Sequence, residues 1–310
     1  MLKFLKYLSS LLLFILVLAF LYHQYSLIKE KKFLTSSIGQ RVEVDGKQMN
    51  VYVAGNGPKT LVFLSGSGTS SPILDFKSLY SKLVKDYRVV VVEKFGYGFS
   101  DDWSKDRDLD TILSQTRKAL QKADVKGPYV LLPHSMSGLE AMHWSASYPK
   151  EVEAIIGLDM SLSQAYDKYR SNRLLYKTLQ FAANLGLSRW LYSPDKEIRS
   201  LSNGSLNPKE KSIYNALFYR RPLSNAIIKE AEEVKSNAKL VKQDKVTAIP
   251  YLLFVSNGQG TGFAKQDWQD MSKDFAKEHK NVQLKSFDVP HYIHSYIPDE
   301  LAKEIRKFLK

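Results

Sequence analysis

In LLPHSMSGLEA, residues 131–141, a serine stands between an apolar run and a helix-like stretch. Such a junction can hold a hydroxyl outward as a nucleophile. A serine hydroxyl attacks a carbonyl carbon only when a base takes its proton, so Ser135 has chemistry only if a histidine reaches it from elsewhere. Six histidines are present. His23 lies in an apolar amino-terminal stretch, His279 in a lysine-rich amphipathic segment and His143 on the helix after the serine, while His134 is expected to point away from its neighbour. That leaves His291 and His294 in FDVPHYIHSYIPDELAKEIRKFL, where a strand-like run gives way to a helix-like one. Their HxxH spacing also suits a metal pair, but no carboxylate or thiolate cluster accompanies it, so no metal is expected.

These side chains need a frame that brings residues 135 and 291 together. RVEV (41–44) and KQMNVYVAG (47–55), split by Asp45-Gly46, predict an opening hairpin. LVFLS (61–65), RVVVVEK (88–94), YVLLPH (129–134), EAIIGLD (153–159), YLLFVSN (251–257) and VQLKSFD (282–288) follow. Most are continuous apolar runs, as expected of strands covered on both faces of a parallel sheet. Helix-like segments at 73–85, 108–123, 138–148, 264–279 and 298–309 alternate with them. The series predicts an α/β chain with a mostly parallel, doubly wound sheet of about eight strands. In such sheets chemistry gathers beyond the carboxyl ends of the strands, which is where Ser135 falls. A sharp strand-to-helix turn demands small neighbours: Ser137 meets the demand and Gly138 adds slack, whereas Pro133 fits only where the strand's hydrogen-bond ladder is already ending. The bland alternative is a serine that merely caps the helix after it.

The rhythm breaks between about 161 and 244, which is helix-rich, charged and aromatic. This stretch predicts an inserted helical cap, residues 161–244, in a core made of 33–160 and 245–310. Residues 1–32 stand apart: after Lys3 and Lys6 comes an unbroken apolar run from Leu11 to Tyr22, and Lys29, Lys31 and Lys32 close the stretch. As helix, the strict run spans about 18 Å and Tyr7 to Ile28 about 33 Å, against a hydrocarbon core of about 30 Å. Small residues do not precede a cleavage point after Ala19, so an uncleaved single-pass anchor with an extracellular catalytic domain is expected, with a secreted, cleaved form as the alternative. The formal net charge of +13 favours anionic surfaces. Its lysines are interspersed with acids rather than gathered into a basic arm, so nucleic acid is not an expected partner. The absence of cysteine excludes disulfides and thiolate sites.

From about residue 40 onward the chain resembles the α/β-hydrolase family. LVFLSGSGTSSP is similar to that family's oxyanion loop, with Ser65 where a histidine is usual. VVVVEKFGYGFSD is similar to its D-R-x-G-x-G-x-S stretch, with Glu93 and Lys94 replacing acid and arginine. PHSMSG resembles the GHSMGG elbow. In the family's carboxyl-terminal pattern the catalytic histidine stands seven residues before a proline, and Pro298 picks out His291, with His294 as a second, non-catalytic histidine. The loop after the seventh strand, SNGQGTGF, lacks the acid most members carry there. A second family arrangement places the acid after the sixth strand, where Asp159 stands, with Asp267 in reserve and Asp288 too close to His291 in sequence.

The resemblance thus implies a cofactor-independent serine hydrolase of the esterase or lipase kind (EC 3.1). Ser135, His291 and Asp159 would form its triad, the backbone N–H groups of Ser67 and Met136 its oxyanion hole, and a small-molecule or lipid acyl ester its substrate. Amide or peptide hydrolysis, or a catalytically silent surface binding protein, are the other readings. SGSGTSS also begins a dinucleotide fingerprint, Gly66-x-Gly68-x-x-Ser71, with Glu93 as its ribose-binding acid, but lacks the third glycine.

Overall fold

The computed structural model describes residues 1–310, Leu2 by its backbone alone. Eight strands form one sheet: β1 (Gln40–Val44), β2 (Lys47–Ala54), β3 (Thr60–Leu64), β4 (Arg88–Glu93), β5 (Tyr129–Ser135), β6 (Val152–Met160), β7 (Tyr251–Val255) and β8 (Val282–Ser286). Their order is β1-β2-β4-β3-β5-β6-β7-β8. The hairpin β1–β2 is antiparallel and β2 pairs antiparallel with β4, while every other neighbour is parallel. This is the mostly parallel, doubly wound α/β sheet that the apolar runs predict.

Alternation along each strand supplies both faces. Val62, Leu64, Val90, Val92, Leu131 and Ile155 pack on one side; Leu61, Phe63, Val89, Val91, Leu132 and Ile156 pack on the other. Each such side chain, taken fully out of water, contributes about 1.5–3 kcal/mol before conformational entropy is set against it. The helices covering the faces are α2 (Pro72–Asp75), α3 (Lys77–Leu83), α4 (Leu109–Lys122) and α5 (Ser137–Ser147), with others after β7. The stretch expected as one helix over 73–85 breaks at Phe76. There the Asp75 carboxylate accepts hydrogen bonds from Ser200 Oγ (2.6 Å) and Tyr214 Oη (2.8 Å), which fixes α2 against a distant segment.

Between β6 and β7 the regular structure is helical: a 3₁₀ turn at Ser163–Tyr166, then α6 (Arg173–Asn184), α7 (Ser188–Leu191), α8 (Pro194–Glu197), α9 (Arg199–Ser202), α10 (Pro208–Arg220) and α11 (Asn225–Gln243). After β7 come α12 (Lys265–Glu278), α13 (Ile293–Tyr296) and α14 (Pro298–Phe308). At the amino terminus α1 (Leu2–Glu30) is a helix long and apolar enough to cross a membrane, and most of its surface is uncovered by the rest of the chain.

A buried charge network lies under the site. Lys94 Nζ pairs with Glu140 Oε2 at 3.2 Å, and Arg107 holds Glu230 Oε1 at 2.6 Å, with all four side chains almost fully buried. Tyr97 Oη donates to the second Glu230 oxygen at 2.5 Å. The network joins the turn after β4 to α5 and α11, so the lysine standing in the family's arginine position ties that turn to the helix that follows Ser135. Next to it Glu93, also buried, accepts from the Phe99 amide (2.7 Å) and Asn50 Nδ2 (2.9 Å). Burial pushes its carboxyl up to about 7, against those two hydrogen bonds. The native state therefore holds this proton more tightly than the unfolded chain. The cost of ionising Glu93 is absent below about pH 4.5, grows as pH rises to about 7 and is constant above that. Thermal unfolding of Glu93→Gln against wild type is expected to show a difference in Tm that widens in the variant's favour between pH 5 and 7. Parallel profiles would mean that Glu93 ionises as readily in the fold as out of it.

Candidate active site

The turn between β5 and α5 is strained. Ser135 has φ +55°, a left-handed conformation unusual for a residue with a side chain. Pro133 makes the last pairing of β5 with β3, opposite Leu64, and the register with β6 shifts between His134 and Ser135. The proline therefore sits where the ladder ends, and its missing N–H costs little. Ser137 fills the place of the family's glycine with a buried hydroxyl that accepts from the His134 amide (3.0 Å) and lies 2.7 Å from the Leu64 carbonyl it can donate to. A small polar side chain thus ties the turn to the end of β3. Gly66 must remain bare, because a Cβ there would stand 2.6 Å from Ser135 Cβ; at Gly138 a Cβ would run into the Ser161 carbonyl.

Asp159, near the end of β6, also has positive φ (+53°) and is buried. Its Oδ1 accepts from the Ser256 amide (2.7 Å) and from Trp268 Nε1 (2.8 Å). Its Oδ2 lies 2.5 Å from His291 Nδ1, a geometry in which the imidazole N–H donates to the carboxylate. With Nδ1 committed, Nε2 is left as the ring's free acceptor. SNGQGTGF, the loop without an acid, packs its backbone on this histidine: Gln259 O accepts from the His291 amide at 2.9 Å. Gly258, Gly260 and Gly262 all have positive φ, which allows the loop to coil tightly there. Asp267 is exposed on the first turn of α12, and Asp288 is occupied by Lys265 (2.9 Å) and Asn257 (3.2 Å) at the surface.

Ser67, Ser135 and His291 line one cavity of about 500 Å³, together with Tyr166, Tyr169 and Phe263. Ser135 and His291 face the same space without a hydrogen bond between them among the described residues. Among the described residues the N–H groups of Ser67 and Met136 make no hydrogen bond. A second cavity of about 450 Å³ shares Gly260, His291 and Tyr292 with the first and extends past Asp75, Tyr192 and Phe218. Burial pushes the Asp75 carboxyl up to about 6, partly offset by its bonds from Ser200 and Tyr214.

Two histidines depart from, or add to, the expectations. His134 does not point away: its ring centroid lies 4.6 Å from that of His291, and Nε2 donates to the His291 carbonyl at 3.2 Å. Burial, then the neighbouring His291 and His294, hold His134 well below the usual imidazole range, so it stays neutral. His294 packs on Phe76 (4.7 Å between centroids), and burial lowers it to about 3. Both act as uncharged packing around His291. Sequence reasoning missed Trp268, which holds the far side of Asp159. Its only signal is its place on the buried face of an amphipathic helix, next to an acid that draws the eye first. The nucleotide reading of SGSGTSS fails on Glu93, which is fully enclosed and bound to Phe99 and Asn50 where a ribose would need it exposed.

A family model described as the alpha/beta hydrolase fold matches residues 59–276. An uncharacterized protein, YbdG, from Bacillus subtilis (strain 168) is 36% identical over 311 residues, covering 98% of this chain and 95% of the relative. Among solved structures, wild-type Cfl2 from Burkholderia cenocepacia superimposes with a TM-score of 0.67 at 16% identity, covering 87% of this chain and 95% of that one. A Bacillus megaterium epoxide hydrolase in complex with an inhibitor does so with a TM-score of 0.63 at 14% identity, covering 87% and 99%. At those identities the likeness is one of fold.

Proposed function

The chain belongs to the alpha/beta hydrolase fold family, and from that premise we propose that it is a serine hydrolase cleaving carboxylic esters through Ser135, His291 and Asp159. The observation that carries this reading is the chain of contacts Trp268 and Ser256 to Asp159, and Asp159 to His291, ending in a cavity that Ser135 also lines. A carboxylate gripped on one oxygen by two N–H donors can hold an imidazole in one tautomer and stabilise the imidazolium that forms when it takes a proton.

In the proposed reaction Ser135 Oγ attacks the carbonyl carbon while His291 Nε2 takes the hydroxyl proton. The tetrahedral oxyanion is met by the Ser67 and Met136 N–H groups. The carbon–oxygen bond to the alcohol then breaks, His291 returns its proton to that alcohol, and an acyl group remains on Ser135. Water, deprotonated by the same imidazole, attacks the acyl carbon; as the bond to Ser135 Oγ breaks, the imidazolium returns the proton to Oγ and the carboxylic acid leaves. The cycle needs no cofactor. We further read residues 161–244 as a cap that shapes the substrate cavity over a core of 33–160 and 245–310, and residues 1–32 as a membrane anchor. The aromatic lining, with Tyr166, Tyr169 and Phe263 beside Ser135, favours apolar acyl groups over charged peptides.

A series of p-nitrophenyl esters of increasing acyl length, run beside aminoacyl amides, tests this. Turnover of the esters that exceeds that of the amides is expected. Amides turned over faster would make the protein an amidase, and no turnover of either by folded protein would favour a binding role.

A further inference from the structure

One contact of the anchor helix reaches the segment that walls the cavities. Of the apolar stretch of α1, Ala19 and His23 are buried, while Leu12, Leu13 and Phe14 are each more than half exposed. What covers Ala19 and His23 is the turn between α6 and α7. Gly186 approaches so closely that a Cβ on it would lie 2.5 Å from His23 Cβ and 2.9 Å from the Ala19 carbonyl. Arg189 locks the contact, donating to both Glu30 carboxylate oxygens (2.7 and 2.6 Å) and to His23 Nδ1 (2.9 Å), with its guanidinium 4.2 Å from the centre of the Tyr219 ring. The arginine is therefore neutralised and largely buried.

The depth of this contact follows from helix rise. Whether the apolar stretch ends at Tyr22 or at Ile28, Ala19 lies inside it, about 4.5 or about 13 Å from its end. In a bilayer that α1 spans, a turn seated on Ala19 therefore lies at or just below the base of the lipid headgroups. The residues around that turn suit such a place. Leu174, Phe181, Trp190 and Leu191 are 78, 65, 58 and 83% exposed, and within α6 only Ala183 is buried. Four large apolar side chains left open beside a membrane-spanning helix, with tryptophan among them, have the composition of an interfacial element.

We propose that the α6–α7 segment is seated in the bilayer that α1 spans, at the boundary of headgroups and acyl chains, and that the cavities receive an acyl ester from the lipid phase. The segment is joined to both cavities. Tyr176 of α6 hydrogen-bonds Tyr169, a wall of the cavity at Ser135, at 2.7 Å. Tyr192, directly after Leu191, stacks on Phe218 and lines the second cavity. A substrate held in the membrane thus meets the cap before it meets water. This rests on the anchor and hydrolase readings, and its test separates it from both.

Of the four tryptophans only Trp190 is exposed, since Trp103, Trp144 and Trp268 are 7, 0 and 4% accessible. The full chain is reconstituted into phosphatidylcholine–phosphatidylglycerol vesicles carrying bromine on the acyl chains, and its fluorescence is compared with that of Trp190→Phe. Bromolipid quenching in the wild type that is mostly lost in the variant is the expected result. Quenching equal in both, or a Trp190 quenched by aqueous iodide and not by bromolipid, overturns the proposal. Vesicle flotation reports the anchor separately, and neither readout needs turnover. As a second arm, Leu191→Lys should slow hydrolysis of a long-chain ester presented in vesicles about tenfold, the loss expected when one leucine no longer leaves water. A soluble short-chain ester should be hydrolysed at the wild-type rate. Equal rates on both substrates would count against a membrane-seated cap.

Discussion

Ser135→Ala will fold and will lose ester turnover by about 10⁴- to 10⁶-fold, the range in which removal of a triad nucleophile leaves only binding and oxyanion stabilisation. The separation of activity from stability follows from the surroundings of the residue. The Ser135 side chain is half-buried and lines the cavity, and among the described residues its hydroxyl makes no hydrogen bond, so deleting it breaks no structural one. The strained φ of +55° remains in the alanine variant, because alanine carries the same Cβ. The change in unfolding free energy is therefore expected within about 1 kcal/mol. A kinetic comparison on one ester, beside a denaturant melt, checks both halves. An unaltered rate would remove Ser135 from the chemistry, and a collapse of the melt would make it a structural residue.

Asp159→Asn carries the second largest effect, about 10⁴-fold in kcat, because the isosteric amide keeps the shape of the site and reverses one hydrogen bond. Asn Oδ1 can still accept from Ser256 and Trp268, which leaves the NH₂ group facing His291 Nδ1. Two donors then oppose each other unless the imidazole carries its proton on Nε2, and a proton there removes the acceptor that Ser135 needs. KM should change little, since Asp159 lies behind the histidine. Asp267→Asn, on the exposed first turn of α12, should stay within about twofold of wild type. The reverse pattern, with Asp267 costly and Asp159 silent, would move the acid to the reserve position.

The sheet was legible because a strand buried on both faces has to be apolar along its length. RVVVV and YVLL allow no other economical place in a chain of this size, and the central strands lie where such runs predict them, while the edge strands β1 and β8 are half-exposed and less uniformly apolar. The strand-to-helix junction at Ser135 was legible for a related reason, since small residues must follow a turn that tight. The surroundings of the acid were not. Trp268 reads as a core aromatic on an amphipathic helix, and nothing in its spacing says that its indole N–H ends on Asp159, 109 positions away. The ion pairs Lys94–Glu140 and Arg107–Glu230 were equally invisible: charged residues normally mark surface, and only tertiary packing reveals that these four are buried and paired. His134 departs from expectation because strand alternation fixes the side of a side chain only within a regular strand. The register shift between His134 and Ser135 breaks that alternation and lays the ring against His291.

The central claim is that the hydroxyl at 135 is made nucleophilic by the imidazole at 291. Treating the folded chain with a fluorophosphonate and mapping the adduct by peptide mass spectrometry tests it most directly, because phosphorus is attacked and fluoride expelled only by an activated oxygen. One adduct, on the peptide bearing Ser135 and missing from both Ser135→Ala and His291→Ala, is the predicted result. A folded wild-type protein that takes up no label, or a label that persists at another residue when Ser135 is alanine, would contradict it.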